Sequence, residues 1–335
     1  MANRYWVGGT GTWNTLSVLN WSLTSGGVGG ATVPGAADVA IFNANCGAGT
    51  ITIGENVTVF SMTLSGAAIT TIDWNNKIVS LAGNALTLYT GNSAVGMLNN
   101  PTITATYAGS TGTRTINGGI GVSEANAVSV NVTGGTDIVT LGSGNNVYKN
   151  VNFTGFSGTL NAGNRIFYGG VIYSTGLTLQ VAAWGGHQFL ATSGTHTLTM
   201  AGKVFDGLFT FNGAAVWQFT DAVQITSTRT FTITNGTVKL KSGVTSTVGS
   251  FATSSTTQKF LESTTPGSQA TLSQASGIVS TGYLTIKDIN ATGGATFNAY
   301  TVNSNVNAGN NLGWDFFAQL GKTIFTRRKE KRVLI

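Results

Sequence analysis

Charged residues are scarce in this sequence: they make up 8% of the 335 residues, against about 25% in an average globular protein. Proline occurs three times, histidine twice and cysteine once. The single cysteine, Cys46, excludes an intramolecular disulfide framework and a cysteine-based metal cluster. No stretch approaches the roughly 18 uninterrupted apolar residues of a membrane span, and the first residues contain no apolar run of signal-peptide length. The sequence therefore predicts neither a membrane span nor a secretory signal peptide.

Glutamate, lysine, glutamine and arginine are too few to form many helices. Glycine, by contrast, occurs 47 times, and 41% of the residues are hydrophobic, which is enough apolar surface to build a core. Threonine, serine and asparagine fill most polar positions between valine, isoleucine, leucine and phenylalanine. This mixture is typical of strands and turns, so we predict an all-β protein.

The net charge of +6 is concentrated at the C-terminus. The segment KTIFTRRKEKRVLI (322–335) contains six basic residues and one acidic residue. Subtracting them from the totals of 17 basic and 11 acidic residues leaves 11 and 10 in residues 1–321, so the body is nearly neutral. A short basic tail on a neutral body does not form a basic face with interleaved aromatic residues, and we expect no nucleic-acid partner.

Strand-like runs of about 4–8 residues recur from residue 38 to residue 316, with glycine, asparagine or serine between them. Similar phrases return with a drifting period of about 20 residues, among them MTLSG at 62, LTLYTG at 86 and LTMAG at 198. Such a period is typical of a coiled β-solenoid. Like charges stacked about 5 Å apart on successive turns would repel, which explains the scarcity of charge. We predict a right-handed parallel β-helix over 38–316. A β-sandwich or another antiparallel fold is the alternative.

Large aromatic residues precede the first of these runs, in the segment YWVGGTGTW (5–13) and shortly after it. A solenoid has an exposed apolar end that must be covered, and each large aromatic side chain buries about 150–250 Å². We therefore predict that residues 1–37 form an N-terminal cap built on Tyr5, Trp6, Trp13 and Trp21. A carbohydrate-stacking platform is the alternative interpretation of the same residues.

The sequence WDFFAQLGKTIF (314–325) is the one stretch in which an apolar helical stripe could form, and the basic run follows it. We predict a short helix here and treat residues 317–335 as an anchor peptide that binds a partner through apolar and basic side chains. These side chains are Phe316, Phe317, Leu320, Phe325, Arg327, Arg328, Lys329, Lys331 and Arg332. A capping helix with a solvated tail, or binding to a membrane surface, would fit the same sequence.

Two motifs resemble those of a known class of protein. The opening W-x-G-G-x-G-x-W and V-P-x-x-x-D-x-x-x-F and the closing N-x-G-N-N-x-G-W-x-F resemble the ends of virion proteins of tailed bacteriophages with β-helical bodies. The resemblance implies a virion component, a tail fibre, spike or capsid decoration used in host attachment. It also implies contacts with capsid, tail or portal-proximal proteins, and host surface glycans as a further possible partner. We expect a homotrimer, because three solenoids packed side by side would hide flanks that are unusually apolar for exposed protein.

The eleven carboxylates and two histidines form no local cluster. Asp206 and Asp221 are the one pair that could approach across a solenoid turn, as a glycosidase pair or as turn-capping residues. His187 and His196 could belong to a metal site or be residues of the polar wall or of the interior. We favour turn capping for the two aspartates and the wall or interior for the two histidines, and we predict no catalytic, cofactor or metal residues. The predicted function is therefore structural and non-enzymatic; a polysaccharide-degrading tailspike and a bacterial surface adhesin are the alternatives.

Overall fold

The chain is described from a computed structural model. The described residues are 1–65, 68, 71–83, 85–90, 96–99, 102–106, 113–116, 119–120, 124, 127–142, 146–180 and 186–317. Almost all regular structure in them is β-strand, and the 3₁₀ turns include Val18–Asn20 and Thr301–Asn303. The strands stack as a parallel β-solenoid of about ten turns.

Three columns of hydrogen-bonded strands form the N-terminal half. Column one contains Ala2–Trp6, Asp38–Phe42, Ser61–Ser65, Ala85–Thr90, Thr113–Ile116, Ile138–Leu141, Thr159–Ala162 and Thr178–Leu179. Column two contains Gly11–Trp13, Thr50–Ile53, Thr71–Asp73 and Gly96–Leu98. Column three contains Val57–Val59, Ile78–Leu81, Thr102–Thr106, Val128–Thr133 and Asn146–Asn152.

Column three divides at its last strand. Asn146–Tyr148 pair with Arg165–Phe167, which begin column four, and Val151–Asn152 pair with Val171–Ile172, which begin column five. Column four continues with His187–Phe189, Phe209–Phe211, Thr230–Ile233 and Ser250–Thr253, and then with a sheet of Ile278–Ser280, Thr296–Asn298 and Trp314–Asp315.

Columns five and six complete the C-terminal half. Column five adds Thr195–Thr199, Val216–Phe219, Thr237–Leu240, Lys259–Ser263, Leu284–Lys287 and Val306–Asn307. Column six contains Val204–Phe205, Gln224–Ile225, Thr245–Val248, Ala270–Gln274 and Ile289–Gly293.

Neighbouring strands run parallel in the described residues, apart from two short antiparallel pairings made by Trp21–Ser22 and Gly119–Ile120. The predicted solenoid is therefore confirmed, and the sandwich alternative is wrong because its faces are built from antiparallel neighbours. Burial alternates along the strands: in Val128–Thr133 buried residues alternate with partly exposed ones, starting with the buried Val128. The pleat thus sends one face inward and one outward.

Inward side chains stack on their counterparts one turn away. Phe209, Phe231 and Phe251 occupy matching positions in column four, and their ring centroids are 6.4 Å and 6.1 Å apart from one turn to the next. One hydrophobic core continues from Trp6 to Phe316. Because each turn buries its apolar face on its neighbours, the solenoid depends on continuous stacking.

Candidate functional site

Three of the four residues predicted to form the N-terminal cap lie together in one aromatic cluster at the N-terminal end. Trp6 pairs with Trp21 in the antiparallel strand that lies outermost in column one. Trp13 ends the first strand of column two. Phe42, from the next turn, completes the aromatic cluster. The fourth predicted residue, Tyr5, is only half-buried, and its hydroxyl accepts a hydrogen bond from Asn3 Nδ2 at 3.4 Å.

Ring contacts hold the aromatic cluster together. The Trp21 ring centroid lies 5.2 Å from that of Trp6, 5.0 Å from that of Trp13 and 5.7 Å from that of Phe42. The Trp21 contacts are edge-to-face, which suits the ring quadrupoles. All three tryptophans are at most 1% exposed, and Trp6 Nε1 donates to the carbonyl oxygen of Gly9 at 2.9 Å. A sugar would find no exposed tryptophan face here, so the geometry disfavours the stacking platform.

Aliphatic side chains are exposed at this end, and the sequence analysis did not predict them. They are those of Leu16, Leu19, Leu23 and Val28, which are 84%, 77%, 65% and 93% exposed. The segment 5–37 contains no charged residue, and this absence is the feature of the sequence from which an apolar surface could have been predicted. An uncharged end with exposed aliphatic side chains is suited to contact with another protein.

The C-terminal end differs in part from the prediction. Trp314–Asp315 form a strand paired with Phe297–Asn298, so the predicted helix does not begin at residue 314. The apolar pattern of so short a stretch fits both the helical and the strand period. Pairing with the strand of the preceding turn stabilises the strand here. Phe316 is buried in the core and Phe317 is 80% exposed.

The other predicted anchor residues lie outside the described residues. They are Leu320, Phe325, Arg327, Arg328, Lys329, Lys331 and Arg332. The anchor role therefore stays a prediction.

Asparagine side chains bond the last turns to one another. Asn305 Nδ2 donates to the carbonyl oxygens of Thr281 and Tyr300, and Asn305 Oδ1 accepts from the Leu284 amide. Asn311 Nδ2 donates to the carbonyl oxygen of Ile286. These amides add side-chain hydrogen bonds to backbone groups of the neighbouring turns.

Asp206 and Asp221 are each engaged at a turn. Asp206 Oδ1 accepts from Arg229 Nε at 2.8 Å and from the Thr226 hydroxyl at 2.9 Å. The hydrogen bond from Arg229 is the largest cause that lowers the pKa of Asp206. Asp221 accepts from the backbone amides of Met200 and Ala201 in the preceding turn. The contacts favour the turn-capping interpretation over a general acid–base pair.

The two histidines lie on different columns. His187 is buried in column four, stacked on Phe209 with ring centroids 4.7 Å apart, and its Nε2 is 3.1 Å from the Tyr173 hydroxyl oxygen. Burial, with a smaller contribution from Arg165, holds the pKa of His187 well below its usual value. His196 lies on column five, with its ring centroid 4.8 Å from that of Trp217. His187 is therefore an interior residue and His196 a partly exposed residue of the wall.

The described part of the chain contains neither a metal cluster nor a membrane-spanning helix. No group of three or more His, Cys, Asp or Glu side chains there could hold a metal ion. Likewise, none of the helices described has the length and apolar character to cross a membrane.

Comparison with known proteins identifies no relative. No protein family, no curated protein and no solved structure matches this chain. The function must therefore be inferred from the geometry and from the sequence resemblance at the two ends.

Proposed function

We propose that this protein is a non-enzymatic structural component of a tailed-bacteriophage virion. It forms a rigid β-solenoid projection, as a tail fibre, spike or capsid decoration, and attaches to the particle by a terminal segment. The observation that carries the proposal is the main hydrophobic core, which continues through stacked turns from Trp6 to Phe316. The resemblance of both end motifs to phage virion proteins supports the assignment to a particle.

Stiffness follows from contacts repeated between turns. Inside, aromatic rings stack along column four. Outside, hydroxyl groups lie 2.7 Å apart in the pairs Thr199–Thr220, Thr230–Ser250 and Thr234–Ser254. A rod in which every turn is bonded to the next on several sides resists bending and leaves few mobile loops for proteases.

Attachment through an end suits the distribution of apolar surface. At the N-terminal end the aliphatic side chains of Leu16, Leu19, Leu23 and Val28 face solvent, and near the C-terminal end that of Phe317 does. The basic tail that follows Phe317 would complement an acidic partner. Three solenoids side by side in a homotrimer would also cover aliphatic side chains on the flanks, such as Val204 and Ile278, which are 54% and 72% exposed.

A non-enzymatic role fits the state of the candidate acids. A glycosidase requires two carboxyl groups about 5–9.5 Å apart that can exchange protons with substrate and water. Asp206 is hydrogen-bonded to Arg229, and Asp221 to two backbone amides. We therefore place the glycan depolymerase and the bacterial adhesin behind the virion structural protein.

Localisation tests the proposal directly. Particles purified from the phage that encodes this chain should contain it by mass spectrometry, and immunogold electron microscopy should label one fixed position on tail or head. Light scattering of the purified protein should give three times the chain mass. Particles free of the chain would refute the virion role, whereas a monomer would refute only the trimer. Removing residues 317–335 should abolish incorporation, and normal incorporation would refute the C-terminal anchor.

A further inference from the structure

A groove of about 610 Å³ lies at the corner between columns four and five, near the C-terminal end. Segments of three successive turns line it: residues 253–256, 280–283 and 302–304. Its volume falls within the range of about 300–1,000 Å³ that is usual for small-ligand sites. None of these lining residues is charged, and most carry a hydroxyl group.

Three lining residues have a backbone conformation that favours glycine. The φ angles of Ser255, Tyr283 and Ser304 are 69°, 54° and 61°. At the same corner in earlier turns, the positive φ belongs to Gly194 and Gly236. A residue with a Cβ is strained in this conformation, and such strain concentrates at ligand sites. Among the described turns at this corner, a residue with a side chain takes the positive φ only in the turns that line the groove, although residues such as Asn75, Ala201 and Asp288 do so at other corners.

A buried lysine is hydrogen-bonded to three of the lining residues. The ammonium group of Lys259 donates to the carbonyl oxygens of Ser255 at 3.3 Å, Gly282 at 3.2 Å and Tyr283 at 3.3 Å. It also lies 5.7 Å from the centroid of the Tyr283 ring. Because an ammonium group has three N–H donors, these carbonyls use all of them. Lys259 therefore ties two lining segments together and has no N–H group left to donate to a bound ligand.

The lining offers exposed polar groups beside one aromatic ring. The side chains of Thr256, Ser280, Asn303 and Ser304 make no hydrogen bond within the described part of the chain, so they are free to bind a ligand. Tyr283 is half-buried, and a phenol ring combines an apolar face with a polar edge. A pyranose ring has the same division between an apolar C–H face and a hydroxyl edge.

We propose that this groove binds a segment of a neutral carbohydrate and does not cleave it. The uncharged lining selects against anionic sugars, since no cation is free to pair with them. The turns around Ser255 and Tyr283 are already tied together by Lys259 and by the bond from the Gly282 amide to Thr253 Oγ1 at 3.0 Å. The third turn is tied to them by the bond from the Tyr283 amide to the carbonyl oxygen of Asn303 at 2.9 Å, so little ordering is required on binding. The absence of a carboxylate from the lining leaves no acid–base pair there. This inference is independent of the virion role.

Titration of the full-length protein with defined sugars tests the inference. The probes are hexasaccharides of dextran, α-mannan and β-galactan, with hexagalacturonate as the anionic counterpart, followed by isothermal calorimetry. Saturable binding of at least one neutral probe, with hexagalacturonate at least tenfold weaker, is the expected result. Failure of all three neutral probes, or preference for hexagalacturonate, overturns the proposal. Chromatography of the bound probe should recover it intact, and shortened products would overturn binding without cleavage.

Glycine substitutions separate a ligand role from a folding role. Tyr283→Gly relieves a positive φ and should weaken binding at least tenfold while the far-UV spectrum stays native. Ala201→Gly is the matched control, because Ala201 also has a φ of 54° but lies at another corner; its affinity should be unchanged. If Tyr283→Gly fails to fold, the Ser255→Gly/Ser304→Gly double variant decides. That variant should bind at least threefold more weakly, and wild-type affinity in it overturns the proposal.

Discussion

Arg165 and His187 occupy the same inward position in consecutive turns of column four. Both are buried: Arg165 is 0% and His187 1% exposed. Burial lowers the pKa of each, and in both cases it is the largest cause. A guanidinium one turn from the imidazole adds to the bias against a second positive charge. The folded protein therefore holds His187 neutral in the interior.

Mild acid should destabilise the protein through His187. The unfolded chain binds a proton at His187 as the pH falls through about 6.5, whereas the folded chain does not until a much lower pH, so the free energy of unfolding should fall below that pH. Urea unfolding between pH 7.5 and pH 5 measures this slope. His187→Phe should flatten it, although the hydroxyl of Tyr173 loses a partner and the overall stability falls by about 1–3 kcal/mol. A slope in His187→Phe equal to that of the wild type would contradict the assignment.

Truncating Trp13 should test whether the aromatic cluster covers the open end of the solenoid. Trp13→Ala removes a fully buried ring and should reduce the free energy of unfolding by about 3–5 kcal/mol. With Phe42 uncovered, the variant should also associate end to end, which light scattering at increasing concentration detects. Leu19→Ala changes an exposed side chain of the same segment and should stay within about 0.5 kcal/mol of the wild type. A monodisperse, stable Trp13→Ala protein would contradict the capping role.

Asn305 should stabilise the C-terminal turns through its hydrogen bonds. Asn305→Ala leaves the Leu284 amide and the Thr281 carbonyl without their side-chain partner, and each unsatisfied buried group costs about 1–3 kcal/mol. Hydrogen exchange at the Leu284 amide should accelerate at least tenfold. Asn212→Ala removes an exposed asparagine in the middle of the body, and exchange at Leu284 should not change. Equal exchange rates in both variants would refute the role of Asn305 at this end.

Alternation and period were enough to predict the solenoid, but they did not locate its corners. The run 204–211 looks like one strand, yet it forms Val204–Phe205 and Phe209–Phe211 in two different columns. The burial of Arg165 was predictable in principle, because Arg165 lies on the same face of its strand as Phe167, two residues further on. A strand that sends Phe167 inward must send Arg165 inward too.

The groove was not predictable by these means. Its lining comes from turns that are distant in the sequence, around Ser255, Tyr283 and Ser304, and the residues meet only because the coil stacks them. A serine with positive φ cannot be told from other serines by its sequence neighbours, whereas a glycine at the same position would have indicated a turn. Local patterns specify which face of a strand is buried, but the exact stagger between turns depends on the length of every corner.

Charge reversal in one outward ladder should test why the sequence contains so few charges. Lys239, Glu262 and Lys287 occupy matching outward positions in successive turns of column five, and Lys239 Nζ lies 3.3 Å from Glu262 Oε2. Glu262→Lys would stack three like charges about 5 Å apart and should lower the free energy of unfolding by about 1–2 kcal/mol, because a favourable pair becomes two repulsive ones. Raising the salt concentration from 0.05 M to about 1 M should recover most of that loss, since the Debye length falls to about 3 Å.

Glu262→Gln keeps the size of the side chain without its charge and should show a smaller loss with little salt dependence. If Glu262→Lys is as stable as Glu262→Gln at low salt, repulsion between turns does not explain the scarcity of charge, and the neutral Thr, Ser and Asn ladders need another cause.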